Sequence, residues 1–564
     1  MNRKLLSLLV VVMLLAGAMP CLAQEAKPVV VVSFSGFDAL RTDANFLGKL
    51  MDKPELGQAL EGIIAMSTQG KGLQGLDAKR PWGAVVYSQG EEFSVAVFVP
   101  TTDLKALAET MGALNLTATD KGDGTYEVQT PMNPLTMKEK NGWAVMADKA
   151  ETLALLPDDP TTLLGPLTGK YDLGIMAHVA NLPEGIRQMI VAQMGMGAAM
   201  GMQQQPEESD EQYAIRKAMT ERSIKQVTTM MEELDRFMLA LNIDAEAGTG
   251  VLDIAVSAKE GTKLADQFAQ IEKTTTNFAG FEQADVAISG VWSSKLTDED
   301  VEQMKVLLAS VRDAATEELE KQNLGDDEMA AAKSLMTELF AVIEENVDTK
   351  TVDGGMVAKL GADQLSFVSG MAVADGAKIE GLLKQFVEQL VKDQPAAEEH
   401  MKLDSETHEG VTLHVMSIPT EAMEDGAEPM QKLVGDQLDL IVGIGPKSLY
   451  LAAGRSAASE LKQVIDASKA APGKAVSPAK VVIAVTPIVN MVAEFAEDES
   501  AKQMAGMIGA TLSQSEGKDH IILETRPIAR GSMTRVTLEE GVLRIIGAAA
   551  MMAQQAMGAP GGGF

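Results

Sequence analysis

Between Gly83 and Met111 the chain reads GAVVYSQGEEFSVAVFVPTTDLKALAETM: two alternating apolar runs flank the polar Ser88–Glu92, and then the period changes. In the second run Phe93, Val95, Val97 and Val99 share one face, and a period of two predicts a strand packed on that face. Asp103 stands where a helix N-cap belongs. Leu104, Leu107, Ala108 and Met111 follow it at helical spacing. The same grammar returns at Phe237–Ile271, with Leu252, Ile254 and Val256 as the expected buried face, and at Met356–Leu390, turning at Gly361–Gln364. A looser copy runs from His520 to Ala550. In these three the corner into the helix is an acid followed by glycine: Glu260-Gly261, Asp375-Gly376 and Glu540-Gly541. Glycine frees the backbone for a tight corner, and the acid suits a helix N-terminus.

The remaining pattern fits around these units. Val29–Ser35 is a continuous apolar strand, and Phe37–Met51 and Pro54–Met66 have helical periodicity. Asn141-Gly142 is a hairpin turn signal within Leu135–Ala147. A helix Lys149–Leu156 and a Pro-rich connector Pro157–Lys170 follow. Strand Asp172–Ala180 leads to a Met- and Gly-rich helix, Glu184–Met202, and Ser209 with Gln212 reads as a capping box for a long helix through Arg236. Farther on, Thr297 and Asp300 form a second capping box, before a stripe of Val301, Met304, Leu307, Leu308 and Val311 that is expected to be buried. Gly325 separates that helix from Asp327–Glu345. The pieces Val411–Ile418, Leu438–Ala453 and Ser456–Ala467 match, in order, Thr125–Thr130, Leu135–Ala147 and Lys149–Leu156.

The element order predicts an α+β fold of antiparallel sheets, built from hairpins and each covered by helices, in two similar halves made by internal duplication. The first half spans 24–276, with sub-blocks 28–157 and 171–276. The second spans 284–557, with sub-blocks 284–467 and 479–557. Residues 558–564 read as a disordered Gly/Pro tail.

Met1–Ala23 has the form of a secretory signal: Arg3 and Lys4 start it, Leu5–Met19 is its apolar core, and Cys21-Leu22-Ala23 resembles a cleavage site. Pro20 stands where a lipoprotein signal needs a small residue. The product after cleavage carries 46 basic and 80 acidic residues, a net charge of −34, and no thiol. It can form no disulfide and no cysteine metal site. An apolar share of 46% supplies proper cores. No later run approaches the ~20 apolar residues that span a bilayer. So acidic a chain disfavours nucleic acid and anionic membrane, whose phosphates need basic partners. The expected location is the periplasm or the extracellular space.

Methionine is the anomaly of the composition, at 35 residues against 5 tyrosines. Met189, Met196 and Met200 fall on one side of the Met-rich helix, and Met194 and Met202 on the other. Thioethers suit Cu(I), yet no histidine or cysteine joins them. Packing or a contact with an apolar ligand or partner is the better reading. His408, His414 and Met416 would share a strand face if HEGVTLHVM stayed extended. Gly410 predicts a turn there and solvent-facing histidines. Ser459 and Lys462 have S-x-x-K spacing without the companion motifs of that hydrolase class. Asp120–Gly124 reads as a turn, lacking calcium ligands at loop positions 3 and 5. No catalytic residue, cofactor or metal is therefore assigned.

The segments GAVVYSQGEEFSVAVFVPTTDLKAL, GTYEVQTP and NGWAVMAD, within residues 75–160, resemble a group of uncharacterised exported bacterial proteins. That resemblance implies export and the strand–hairpin–helix order, and no activity. The expectation is an exported, soluble, non-enzymatic binding or structural protein whose partner is an envelope protein. The alternatives are an extracytoplasmic carrier of an apolar ligand or lipid and, less favoured, a hydrolase.

Overall fold

The computed structural model describes residues 26–113, 116–130, 134–201, 204, 210–321, 325–361, 365–422, 431, 434–496 and 498–558. The signal, the last residues of the tail, Ser209, Met202 and most of the Gly361–Gln364 turn lie outside them. The fold mixes helices with antiparallel strands, as the periodicity predicts, and divides into two compact units. One comprises the described parts of 1–201, 223–264 and 533–564. The other comprises those of 202–222 and 265–532.

In the first unit β1 (Lys27–Phe34) is central, pairing antiparallel with both β2 (Trp82–Gln89) and β8 (Leu173–His178). That explains its unbroken valines, because a strand with neighbours on both edges and packing on both faces has no wet side. Helices α1 (Phe37–Leu50) and α2 (Leu56–Ser67) connect β1 to β2. Beyond β2 lie β3 (Glu92–Pro100), β7 (Trp143–Ala147), β6 (Leu135–Lys140), β5 (Thr125–Val128) and β4 (Ala118–Asp120). On the other side β8 pairs with β9 (Leu234–Asp244), and β9 with β10 (Thr249–Ala258). Asn141 and Gly142 turn β6 into β7 with positive φ, as an Asn-Gly hairpin requires. Asp103 caps α3 (Leu104–Ala113), its Oδ1 accepting the N–H groups of Lys105 and Ala106 at 2.9 and 3.1 Å.

The expected buried faces fail on β3 and on β10, and on β3 the reason is packing on both faces of the sheet. On β3 the most buried alternating positions are Ala96 and Phe98, whereas Val97 and Val99 are half-buried beneath α3. Every residue of β7 is buried. Trp143 and Val145 join Phe98, α4 (Ala150–Ala154) and the segment Pro160–Leu167, while Ala144 and Met146 face α3. The Pro-rich connector is thus a packed 3-10 helix that places Leu164 and Leu167 in the core. On β10 the buried positions are Asp253 and Ala255, and Ile254 is exposed.

After β8 come α5 (Glu184–Gly201) and α6 (Asp210–Glu233), which gives way to β9 at Leu234 rather than running to Arg236. A short helix α7 (Lys263–Ala269) and a two-residue strand β11 (Thr275–Thr276) follow β10. In the second unit β12 (Ile288–Lys295) precedes α8 (Asp298–Lys321) and α9 (Asp326–Asp348). Thr297 and Asp300 form the expected capping box, but of the α8 stripe only Val301 is buried and Val311 is exposed. Then come β13 (Thr351–Lys359), β14 (Ser366–Ala372), α10 (Gly376–Asp393), β15 (Met401–His408), β16 (Val411–Pro419), β17 (Gln437–Gly445), β18 (Ser448–Gly454) and α11 (Ala457–Ala470). The last elements are β19 (Lys474–Ala475), β20 (Ala479–Ala484), α12 (Val485–Phe495), α13 (Glu499–Leu512), β21 (His520–Ile528), β22 (Gly531–Glu539) and α14 (Glu540–Gly558). The core gathers Leu461, Val464 and Ile465 of α11 against Val357, Val368, Leu413 and Tyr450.

The sheet of the second unit runs β15–β16–β17–β18–β14–β13–β12–β20–β21. In the first unit the order is β4–β5–β6–β7–β3–β2–β1–β8–β9. Strand for strand, the two orders agree.

Candidate functional site

The Met-rich helix α5 is apolar around much of its circumference, yet no described residue from 184 to 197 is buried. Met189 is 48% exposed and Met196 63%, with Met194 similarly open on the opposite side. Of the two readings given for these methionines, packing or contact, burial in a core does not describe Met189, Met194 or Met196. The side chain of Met200 lies outside the described residues. Cavities among the described residues include two of moderate size. One, of about 290 Å³, is lined by Leu360, Pro487, Met491 and Phe495. The other, of about 380 Å³, lies among Lys27, Glu91, Asn181 and Arg187. Neither includes the α5 methionines. Apolar side chains are also exposed on the sheets: Leu239, Leu241 and Ile254 in the first unit, and Phe367, Met371 and Leu451 in the second. Leu239 and Ile254 are cross-strand partners, so that patch is continuous.

The residues weighed for catalysis are not assembled for it. Lys462 pairs with Glu406 at 2.6 Å, and Ser459 is an exposed residue of α11. Glu409 and Gly410 turn β15 into β16 with positive φ, which puts His408 and His414 on different strands. His408 Nε2 lies 2.7 Å from Asp466. His414 is buried, contrary to the solvent-facing expectation. Its Nδ1 accepts the Asp404 N–H at 3.2 Å, and its Nε2 has no partner. Burial holds His414 below the usual histidine range, opposed by the Asp404 and Glu380 charges. Glu380, Asp404 and His414 bring potential ligand atoms within 4.8 Å of one another. The Lys384 ammonium already fills the place of a cation, 2.7 Å from Glu380 and 2.9 Å from Asp404. Asp120 and Asp123 accept the N–H groups of Gly122 and Thr125 at 2.7 and 3.0 Å, so that segment is the expected turn.

Among the acids that escaped the sequence reading are Asp253, fully buried, and Asp43, half-buried. Asp253 is fully buried on β10, where it receives Arg535 through Nε and Nη2 at 2.8 and 2.7 Å and the Tyr171 hydroxyl at 2.6 Å. Burial and then this bond push the Tyr171 phenol up to about 12. Asp43 of α1 meets Asp172, whose Oδ2 accepts the Ile243 N–H at 2.7 Å. Asp43 Oδ2 is buried with no donor. Burial, followed by the Asp172 charge and hydrogen bond, pushes Asp43 up to about 7.

No protein-family model and no curated protein matches the chain. A solved structure, crystal form IV of TP0453, is similar over 41% of this chain and 77% of its own length, at 7% identity and a TM-score of 0.21. A likeness that slight carries no argument about function. No described helix is long and apolar enough to cross a membrane.

Proposed function

We propose that the chain is an exported, soluble, non-enzymatic binding or structural protein of the cell envelope, and that α5 contacts its partner protein. The observation that carries this reading is the exposure of Met189 and Met196 on a helix with no buried residue from 184 to 197. Exposed apolar surface of this kind marks interaction sites, and methionine adapts to varied apolar surfaces. The charged start, apolar core and cleavage-like end of Met1–Ala23 support export. The test places a photoreactive benzoylphenylalanine at Ala192, between the methionines, and as a control at exposed Glu246 in the β9–β10 turn. Irradiation of the intact envelope should give one discrete protein adduct at 192 and none at 246. Equal yields at both positions would remove the reading.

A second reading, a carrier of an apolar ligand or lipid, draws on the exposed sheet patches at Leu239, Leu241 and Ile254 and at Phe367, Met371 and Leu451. Native mass spectrometry of the protein taken from its own envelope decides it: a stoichiometric lipid mass supports the carrier, and a bare chain mass counts against it.

A further inference from the structure

The methionines are sorted by burial. Met137, Met146 and Met176 are sealed in the cores. Met189, Met194 and Met196 of α5, and Met504 and Met507 of α13, stand about half exposed or more. Two groups among the exposed thioethers have equivalent places in the chain, apart from others such as Met66, Met371 and Met552, which are exposed elsewhere: α5 follows β8, α13 follows β20 and α12, and β8 and β20 hold the same position in their strand orders. Docking alone does not account for Met194. At 100° per residue it points about 140° away from Met189, and Met196 lies within about 20° of Met189. A single partner surface would not need both sides, whereas a diffusing small oxidant reaches both. The described chain contains no cysteine, so its reactive sulfur is thioether.

We propose that Met189, Met194, Met196, Met504 and Met507 are oxidation sites for peroxide or hypohalous acid, and that their sulfoxides turn these apolar helix faces polar while the fold persists. With peroxide, a sulfur lone pair attacks one oxygen and the O–O bond breaks. The sulfur loses two electrons as the S=O bond forms, and the departing hydroxide takes up the proton of the transferred oxygen to leave as water. Methionine sulfoxide reductases reverse the change. Exposure confines the reaction to residues whose polarity does not disturb a core, because Met137, Met146 and Met176 are shielded by the packing around them. The consequence for partner binding rests on the docking reading of α5; the sites of modification do not.

The test treats the folded full chain with limiting hydrogen peroxide and follows each methionine by peptide mass spectrometry. Sulfoxide should accumulate at these five positions at least about fivefold faster than at Met137, Met146 and Met176. Near-ultraviolet circular dichroism should stay unchanged while binding of an apolar dye falls, and the two sulfoxide reductases should restore it. A variant carrying Met189→Leu, Met194→Leu, Met196→Leu, Met504→Leu and Met507→Leu keeps apolar faces that cannot be oxidised. Its dye binding should survive peroxide. Equal oxidation of the buried and exposed methionines would overturn the proposal, as would loss of dye binding in the leucine variant as complete as in the natural chain. Selective, reversible oxidation with no photoadduct at 192 before treatment would sink the docking reading alone and leave these sites standing.

Discussion

At the scale of single residues, Asp253 and Asp43 are acids that the pattern of the chain disguised. Asp253 lies between Leu252 and Ile254, where alternation assigns the charge to water. The structure reverses that assignment because Arg535, 282 positions later, supplies a bidentate partner for the buried carboxylate. No local window contains both halves of such a pair. Asp43 is disguised in the same way, its partner Asp172 being distant in sequence. Its folded pKa of about 7 stands above the ordinary 3.8, so the native state holds the proton more tightly than the unfolded chain. This favourable term is fully present below about pH 4, declines as pH rises, and is lost above about 7. Asp172 is the charged group that opposes ionisation of Asp43. Asp43→Asn supplies a permanent N–H donor in its place. It should raise the melting temperature by roughly 2–4 °C at pH 8, for about 1 kcal/mol of hydrogen bond, and leave it nearly unchanged at pH 4. Thermal melts across that range check it; an equal shift at both ends would show that the proton plays no part.

At the scale of elements the sequence was more legible, because strand and helix periods, caps and turns are local. The Asp103 cap, the Thr297–Asp300 box and the Asn141-Gly142 turn appear where the residues place them. What pattern did not reveal was which apolar face goes deeper when both are apolar, as at Ala96–Val99, since that depends on elements arriving from elsewhere. The acid–glycine corners also hold a constraint that the turn signal understates. Asp375 caps α10 by accepting the Ala377 N–H at 3.0 Å. A Cβ on Gly376 would run into the carbonyl oxygen of Gly445 at the end of β17, so the glycine is required by close approach. Gly376→Ala should therefore destabilise the second unit by roughly 2–3 kcal/mol. Gly381→Ala, on the same helix with open space around it, should stabilise it by up to about 1 kcal/mol. Urea titrations of the two variants measure both signs, and a matching pair of shifts would refute the packing argument.

For the whole molecule, we read the shared strand order as the trace of an internal duplication. Alignment of residues 27–244 with 288–528 across related chains would test that reading. The sequence divides its halves at about 276–284, whereas the compact units return the described residues 533–558 to the first. The physical ground for that return is dense. Arg535 neutralises Asp253, Arg544 donates to the Leu50 carbonyl at 3.2 Å, Val542 and Leu543 are buried, and Gly547 has Met51 beside it. Ending the chain at Ser532 would strip Asp253 of its counter-charge while leaving it buried. Removing one partner of such a pair costs about 3–5 kcal/mol, with the lower end expected here because Arg535 is a third exposed. The core built on Leu461 and Ile465 draws on residues 278–465 alone. Calorimetry of the truncated chain should thus show the melting of the first unit lowered by several degrees and that of the second held. Arg535→Met, which keeps the chain entire and much of the side-chain volume, should shift the same transition by a smaller amount. If the second unit fell equally, or if Arg535→Met were silent, the C-terminal segment would not be held through Asp253.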